Sequence, residues 1–513
     1  MTKIRKDVWE LETDEQGWSD TTLWYAKAVA EMQKRPLAER TSWRFFAGIH
    51  DFDAKMWRDF GYLDDSDPPP DKGDLAEFWE QCRHGEWYFL PWHRGYLGAF
   101  EQAVRAAVVA LGGPEDWALP YWNYNNPRIA HPRRIPLCFR QPTLPDGSAN
   151  PLHLEARYGL DADGEMMNVI DERIGDRKAL GEDRFEGEGQ GGSAGFGGTP
   201  ASPGQVEMSP HNHVHTRIGG VERGGLMSST QTAGLDPVFW LHHANIDRLW
   251  EVWLNRNPAH VNPDQEEWLG GPPAAEPRFA MPDVNGEARR FAPDEMLDTR
   301  APHLDYAYDD ISDPLGGERM IESRLLKMGV PRAAAASRSM MEVRMTRKPT
   351  VELIGANDRP LRLEGVDTET SLEVDAGGSS RLMRSFSTER LLGDAPRVPD
   401  RVFLNLENVR GRRDAMVLDV YLNLPAGADP QAYPELRVGS VSLFGVRKAS
   451  RVDTPHGGSG LNLSIEITDY IDAQGLDPAL DLRDLPVKLV AEAPIAPEDD
   501  ITIGRISLYR QGD

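Results

Sequence analysis

Two hydrophobic periods divide the chain. From Trp92 to Ala110 apolar residues recur at helical spacing and stop at Gly112-Gly113, which predicts a helix closed by a glycine pair. NIDRLWEVW, from Asn245 to Trp253, sets Ile246, Leu249, Trp250 and Trp253 on one face of a second helix. Beyond residue 349 the period shortens to two. In LNLSIEIT, Leu461, Leu463, Ile465 and Ile467 share one face while polar residues take the other, the pattern of a half-buried strand. TVELIG from Thr350, RVFLNLENV from Arg401, MVLDVYLNL from Met416 and ITIGRISLY from Ile501 repeat it, so an antiparallel β-sandwich is expected. The reading is a mainly α domain over 1–325, a basic, Ala/Ser-rich and partly helical linker over 326–348, and an all-β domain over 349–513. A glycine-rich stretch, Phe185 to Gln205, reads as a flexible surface loop bordering the second histidine cluster described below.

Composition narrows the function. A chain of 513 residues has room for about two to four domains. A net charge of −25 argues against nucleic acid or an anionic membrane as partner. No apolar run approaches the roughly 20 residues of a membrane span. Two cysteines, Cys82 and Cys138, exclude a disulfide scaffold. The N-terminal residues have no apolar stretch of a secretory signal, so the expected location is cytoplasmic, with export by a partner as the alternative. A small substrate is expected.

The histidines carry the chemistry. Eight of the thirteen fall in three contexts: FFAGIHDF with His50; CRHGEWYFLPWHR with His84 and His93; and SPHNHVHTRIGG plus DPVFWLHHANIDRLW with His211, His213, His215, His242 and His243. With Ser209 as N-cap and Pro210 opening a helix, His211 and His215 stack on one face, the spacing that brings two imidazoles to one ion. His213, about 200° round the helix, points away, and the rings of His242 and His243 diverge by about 100°, so one of the two joins the ion. Pro91 belongs in a first helical turn and breaks the chain between His84 and His93, letting them converge. Two three-histidine sets result, without carboxylates or multiple cysteines. Imidazole-only coordination suits copper as well as zinc and leaves each ion an open position.

These motifs resemble the copper-A and copper-B signatures of the tyrosinase family, the type 3 copper proteins that include catechol oxidases and molluscan haemocyanins. The resemblance spans about residues 40 to 310. It implies a four-helix bundle, His50, His84 and His93 on copper A, and His211, His215 and His243 on copper B. It further implies O2 as co-substrate and small phenols as substrates, hydroxylated to o-diphenols and oxidised to o-quinones. A catechol oxidase or o-aminophenol oxidase without hydroxylation is the narrower alternative; an oxygen carrier and a dinuclear zinc hydrolase are the remoter ones. Homo-oligomers and a copper-delivery protein are compatible with it.

Cys82 resembles the cysteine of a Cys-x-His thioether to His84. Glu207 and Asn212 match a pair that holds a water near copper B, with the carboxylate able to act as general base. Thr216 matches a position tied to substrate preference, and Ser229 or Thr230 the place of a bulky gate, whose absence implies an accessible copper A. Phe239, Trp240 and Trp250 read as core aromatics. Asp247 reads either as a carboxylate orienting a ligand imidazole or as a helix salt bridge. Tyr306 and Tyr308 match a tyrosine motif that pairs with an N-terminal arginine, here Arg5. The β domain resembles those that cover the copper cleft, and from about residue 340 it is expected to act as a lid.

Overall fold

The computed structural model describes every residue except 1, 65, 168, 190, 273–278, 338–348, 386–397, 399, 454–456, 475–482 and 513. Five helices frame the site: α1 (Asp20–Gln33), α2 (Trp43–His50), α3 (Phe89–Ala110), α4 (Asn212–Gly219) and α5 (Pro237–Arg256). Four of them, α2 to α5, carry or begin at the clustered histidines. Ser42 caps α2, its hydroxyl accepting from the Phe45 N–H at 3.0 Å. Asp236 caps α5 and takes a bidentate pair from Arg157 at 2.9 and 2.7 Å. With Pro237 as first residue, that cap starts α5 two turns earlier than the apolar stripe from Asn245 indicates, which puts the paired histidines well inside the helix.

Helix α3 begins at Phe89, so Pro91 lies in its first turn, where a missing N–H costs nothing. Phe100 of α3 stacks on Trp240 of α5 at 3.4 Å and 6°, and Trp43 of α2 meets both edge-on. Phe239, Trp240 and Trp250 are fully buried, as the sequence reading has them. Strand β1 (Lys3–Arg5) pairs in parallel with β2 (Tyr306–Tyr308), closing the N-terminus onto the far end of this half.

The C-terminal half is antiparallel. Its strands are β3 (Thr350–Ala356), β4 (Gly365–Val374), β5 (Arg401–Val409), β6 (Val417–Leu422), β7 (Arg437–Ser442), β8 (Leu461–Glu466), β9 (Asp484–Ile495) and β10 (Arg505–Gly512). They bond in the order β7-β6-β9-β4-β3-β10-β5-β8. The strands expected from alternation are present. Where a sandwich of two sheets was expected, the hydrogen bonds run through one eight-stranded sheet that curls until its edges meet. A Cβ on Gly439 of β7 would lie 2.6 Å from Ile465 of β8. Alternation reports which face of a strand is buried, and that is the same for a sandwich and a near-closed sheet.

Two expectations about connections change. The Phe185–Gln205 stretch is packed, not loose. Ser193 N–H donates to Gln511 of β10 at 2.7 Å, and a Cβ on Gly191 would lie 2.4 Å from the Tyr509 ring. Glycine here permits close approach of backbone to the sheet. Of the expected linker, 332–337 are helical, and Leu325, Val330 and Ala335 share a small buried cluster; 338–348 lie outside the described residues.

Candidate metal centre

Two groups of buried ligand atoms sit side by side: His50, Cys82, His84 and His93, and His211, His215, His242 and His243, with the ligand atoms of each group within 4.8 Å of one another. Across the gap, His93 stacks on His243 at 4.4 Å and 12°, and His84 lies 5.6 Å from His211.

The hydrogen bonds fix which nitrogen faces inward. The Nδ1–H of His50 donates to the Thr230 carbonyl at 2.8 Å, that of His93 to Phe89 at 2.8 Å and that of His215 to Met227 at 2.9 Å. A carbonyl only accepts, so each Nδ1 holds the proton and each Nε2 keeps a lone pair. His211 is held likewise by the Asn212 side-chain oxygen at 2.8 Å. The Nε2 atoms of His50 and His211 are buried with no hydrogen-bond partner among the described residues. Burial pushes His50 and His211 down to about 3, and holds His84, His93, His215 and His243 well below the usual imidazole range. Neutral, pre-aimed, unsatisfied imidazoles are what a metal ion requires.

Cys82 Sγ lies 3.3 Å from Nδ1 and 3.6 Å from Nε2 of His84, and 3.4 Å from His93 Nε2. The sulfur is thus about as near to one His84 nitrogen as to the other. Glu207 is buried, accepts from the Gly85 N–H at 2.7 Å through Oε1, and leaves Oε2 without a partner among the described residues. Burial raises its carboxyl well above the ordinary range.

The remaining residues singled out in the sequence have partners of their own. Ser209 is extended but caps nothing: its hydroxyl donates to the Arg173 carbonyl at 2.7 Å. His213 points away, toward the Ser440 backbone. The Thr216 hydroxyl donates to the His213 carbonyl at 3.0 Å, inside its own helix. Ser229 donates to Asp414 and Thr230 to Asp51, each at 2.7 Å. Asp247 touches no ligand imidazole. It accepts from Arg94 at 2.6 Å, Tyr306 at 2.6 Å, Tyr308 at 2.5 Å and Arg5 at 3.3 Å. Although burial alone would raise it, Arg94 and Arg5 hold this carboxyl below the usual range. Helix period puts Asp247 one turn beyond His243, but Arg94 of α3 and Arg5 of β1 engage it instead. Arg5 donates to Tyr308 at 2.9 Å and lies 3.5 Å over the Tyr306 ring.

A residue from the β half lies over the histidines. Phe444 follows β7, in a turn completed by Gly445 at φ +88°. Its ring stacks on His215 and meets His84 and His211 edge-on at 5.6 and 5.7 Å. Lys448 follows it inward: Nζ donates to the carbonyls of His50 and Glu80 at 3.4 and 3.3 Å and sits 4.0 Å from Asp51. The sequence signals neither residue, since a lone aromatic in a turn between strands has no period to betray it.

Comparison with known proteins matches this geometry. Residues 40–184 and 178–256 fit the common central domain of tyrosinase, and 350–511 fit a domain of unknown function. A tyrosinase of Hahella sp. is 30% identical over 534 aligned positions, covering 100% of both chains. The chain belongs to the tyrosinase family. A larreatricin hydroxylase of Larrea tridentata is 26% identical over 77% of this chain and 62% of its own. The tyrosinase-family fold extends through both halves: latent apple tyrosinase superposes with a TM-score of 0.58 over 99% of this chain and 97% of its own, at 20% identity. A latent aurone synthase gives 0.60 over 99% and 89%, at 19% identity. This family member is therefore a copper oxidoreductase, and the two histidine groups are the residues that would hold its copper pair. The relatives are named as enzymes, and an oxygen carrier finds no support among them.

Proposed function

We propose that the protein is a tyrosinase that uses O2 to hydroxylate monophenols at the ortho position and to oxidise o-diphenols to o-quinones. The observation that carries the phenolic substrate is Phe444: an aromatic ring already lies flat on His215 between the two histidine groups. A cleft that accepts a phenyl ring there is shaped for a phenol. Bound copper would supply the redox chemistry with dioxygen. The protein holds the imidazoles through Thr230, Phe89, Met227 and Asn212, and excludes water by burying every ligand ring.

Hydroxylation needs a base for the phenol proton, and the free Oε2 of Glu207 supports that role, acting through a water. The C-terminal half acts as a lid, with Phe444 in the substrate's place. Oxygen uptake with a monophenol and with an o-diphenol tests the reading. Both substrates are expected to be consumed, more rapidly in Phe444→Ala. Glu207→Gln is expected to lose monophenol turnover by about a hundredfold and to keep most o-diphenol turnover, a general-base contribution. Oxidation of o-diphenols alone by the unaltered and the Phe444→Ala proteins would make the enzyme a catechol oxidase.

A further inference from the structure

Three imidazoles serve each copper in the reading above, yet the second group holds four. His242 is completely buried, and neither of its ring nitrogens has a hydrogen-bond partner among the described residues. That sets it apart from His50 and His211, where one nitrogen is tied and one is free. An imidazole buried with both nitrogens unsatisfied costs free energy, and a ligand that engages one of them recovers part of it. Its ring lies 5.3 Å from His211, nearly parallel at 20°, and 4.9 Å from His215, edge-on. One of its nitrogens falls within the same 4.8 Å group as the ligand atoms of His211, His215 and His243.

Neighbouring side chains on a helix diverge by about 100°, which on spacing alone leaves one of the paired histidines for the ion. In the folded chain both rings border the second group. His242 lies 5.3 and 4.9 Å from His211 and His215, while His243 lies 4.9 and 5.4 Å from the same two rings and 4.4 Å from His93. Both rings reach the same space from either side. His243 keeps its own Nδ1 unpartnered, and its Nε2 is 3.3 Å from His215 Nε2, so no hydrogen bond commits it to copper B more firmly than its neighbour.

We propose that His242 is a reserve ligand of copper B, able to hold the ion together with His211 and His215 when His243 is absent or displaced. The proposal rests on the copper-pair reading. Imidazole is a ligand for either oxidation state of copper, so exchange of one ring for the other changes no charge and moves no proton. A site with a spare ligand retains its ion while one bond is open to an incoming molecule.

The test is copper stoichiometry and affinity, read independently of turnover. Apoprotein is titrated with copper(I) against a chromophoric chelator, for the unaltered chain and for His243→Ala, His242→Ala and the double variant. The unaltered chain is expected to take two ions. His243→Ala is expected still to take two, the second about ten- to a hundredfold more weakly, and the double variant only one. Equal loss of the second ion in His243→Ala and in the double variant would overturn the proposal. Failure of the unaltered chain to take two ions would instead overturn the copper-pair reading. Circular dichroism of each apoprotein checks folding. If a variant does not fold, nitrogen hyperfine coupling in the copper(II) form of His243→Asn supplies the answer: three imidazoles on the second ion are expected, and two would overturn the reserve role.

Discussion

The phenyl ring of Phe444 lies 4.0 Å from the imidazole of His215 and 15° from parallel. One residue of the β half thus occupies a ligand face of the helical half. Phenol and plug compete for that face, and the open fraction scales the apparent affinity for substrate. Phe444→Ala is expected to raise kcat/KM for an o-diphenol about tenfold or more, equivalent to about 1.4 kcal/mol of displacement. Steady-state oxygen consumption measures it, and an unchanged value would remove the lid from the account.

Lys448 and Asp51 are both buried, at 4% and 0% side-chain exposure, 4.0 Å apart. Asp51 also accepts from Thr230 and Gln231, each at 2.7 Å. Removing the cation leaves a buried carboxylate under-compensated, which costs about 3 kcal/mol or more. Lys448→Met is therefore expected to lower the unfolding temperature, and Asp51→Asn in the same chain to restore much of it. Thermal melts of the two single variants and the double give the coupling directly; additive losses would mean that the pair does not interact.

Asp414 lies between the halves, accepting from Ser229 and from the Arg447 N–H at 2.8 Å, with Arg447 and Asp51 the charges nearest it. Burial pushes its carboxyl up to about 6. The folded protein then binds more protons than the unfolded chain between about pH 4 and 6, so this group's contribution is fully present below that window and is lost as pH rises through it. The full span is about 3 kcal/mol. Asp414→Asn is expected to flatten the fall in stability across that window in denaturant titrations; an identical slope in both proteins would show that Asp414 does not titrate there.

Asp247 gathers Arg94, Arg5, Tyr306 and Tyr308 behind the copper-B helix. Its depressed carboxyl contributes stability present above the ordinary carboxylate value and lost only as pH falls below it. Asp247→Asn is expected to cost about 3 kcal/mol, since Arg94 and Arg5 lose a buried counter-charge. Copper stoichiometry should stay at the unaltered value, because no ligand ring touches this carboxylate. Loss of metal with intact folding would show that it orients a histidine after all.

The parts legible in the sequence are those set by local spacing. His211 and His215 stand one helical turn apart, and Pro91 marks the first turn of a helix that starts between His84 and His93; both facts are visible in a short window. The strands were visible for the same reason, as each alternates on its own. What spacing does not carry is the approach of distant segments. Phe444 and Lys448 meet histidines some 200 to 400 positions away in the chain, and nothing near them records it. Asp247 stays open between a ligand imidazole and a salt bridge in the sequence because helix period gives only a direction, whereas Arg94 and the Tyr306–Tyr308 strand supply the partner. The closure of the sheet at Gly439 and Ile465 escaped for a like reason: alternation has no information on which strands end as neighbours.

The glycine-rich stretch beside β10 has a consequence for how such a chain responds to cutting. Ala194, Met208 and Val221 from the helical half are part of the β half's own apolar core, while Phe444 belongs to the core of the helical half. Each half thus completes the other's interior. Covalent continuity and physical association are then separate properties, and a single nick between the halves is expected to yield two fragments that co-elute, with the histidines still covered, until something pulls them apart.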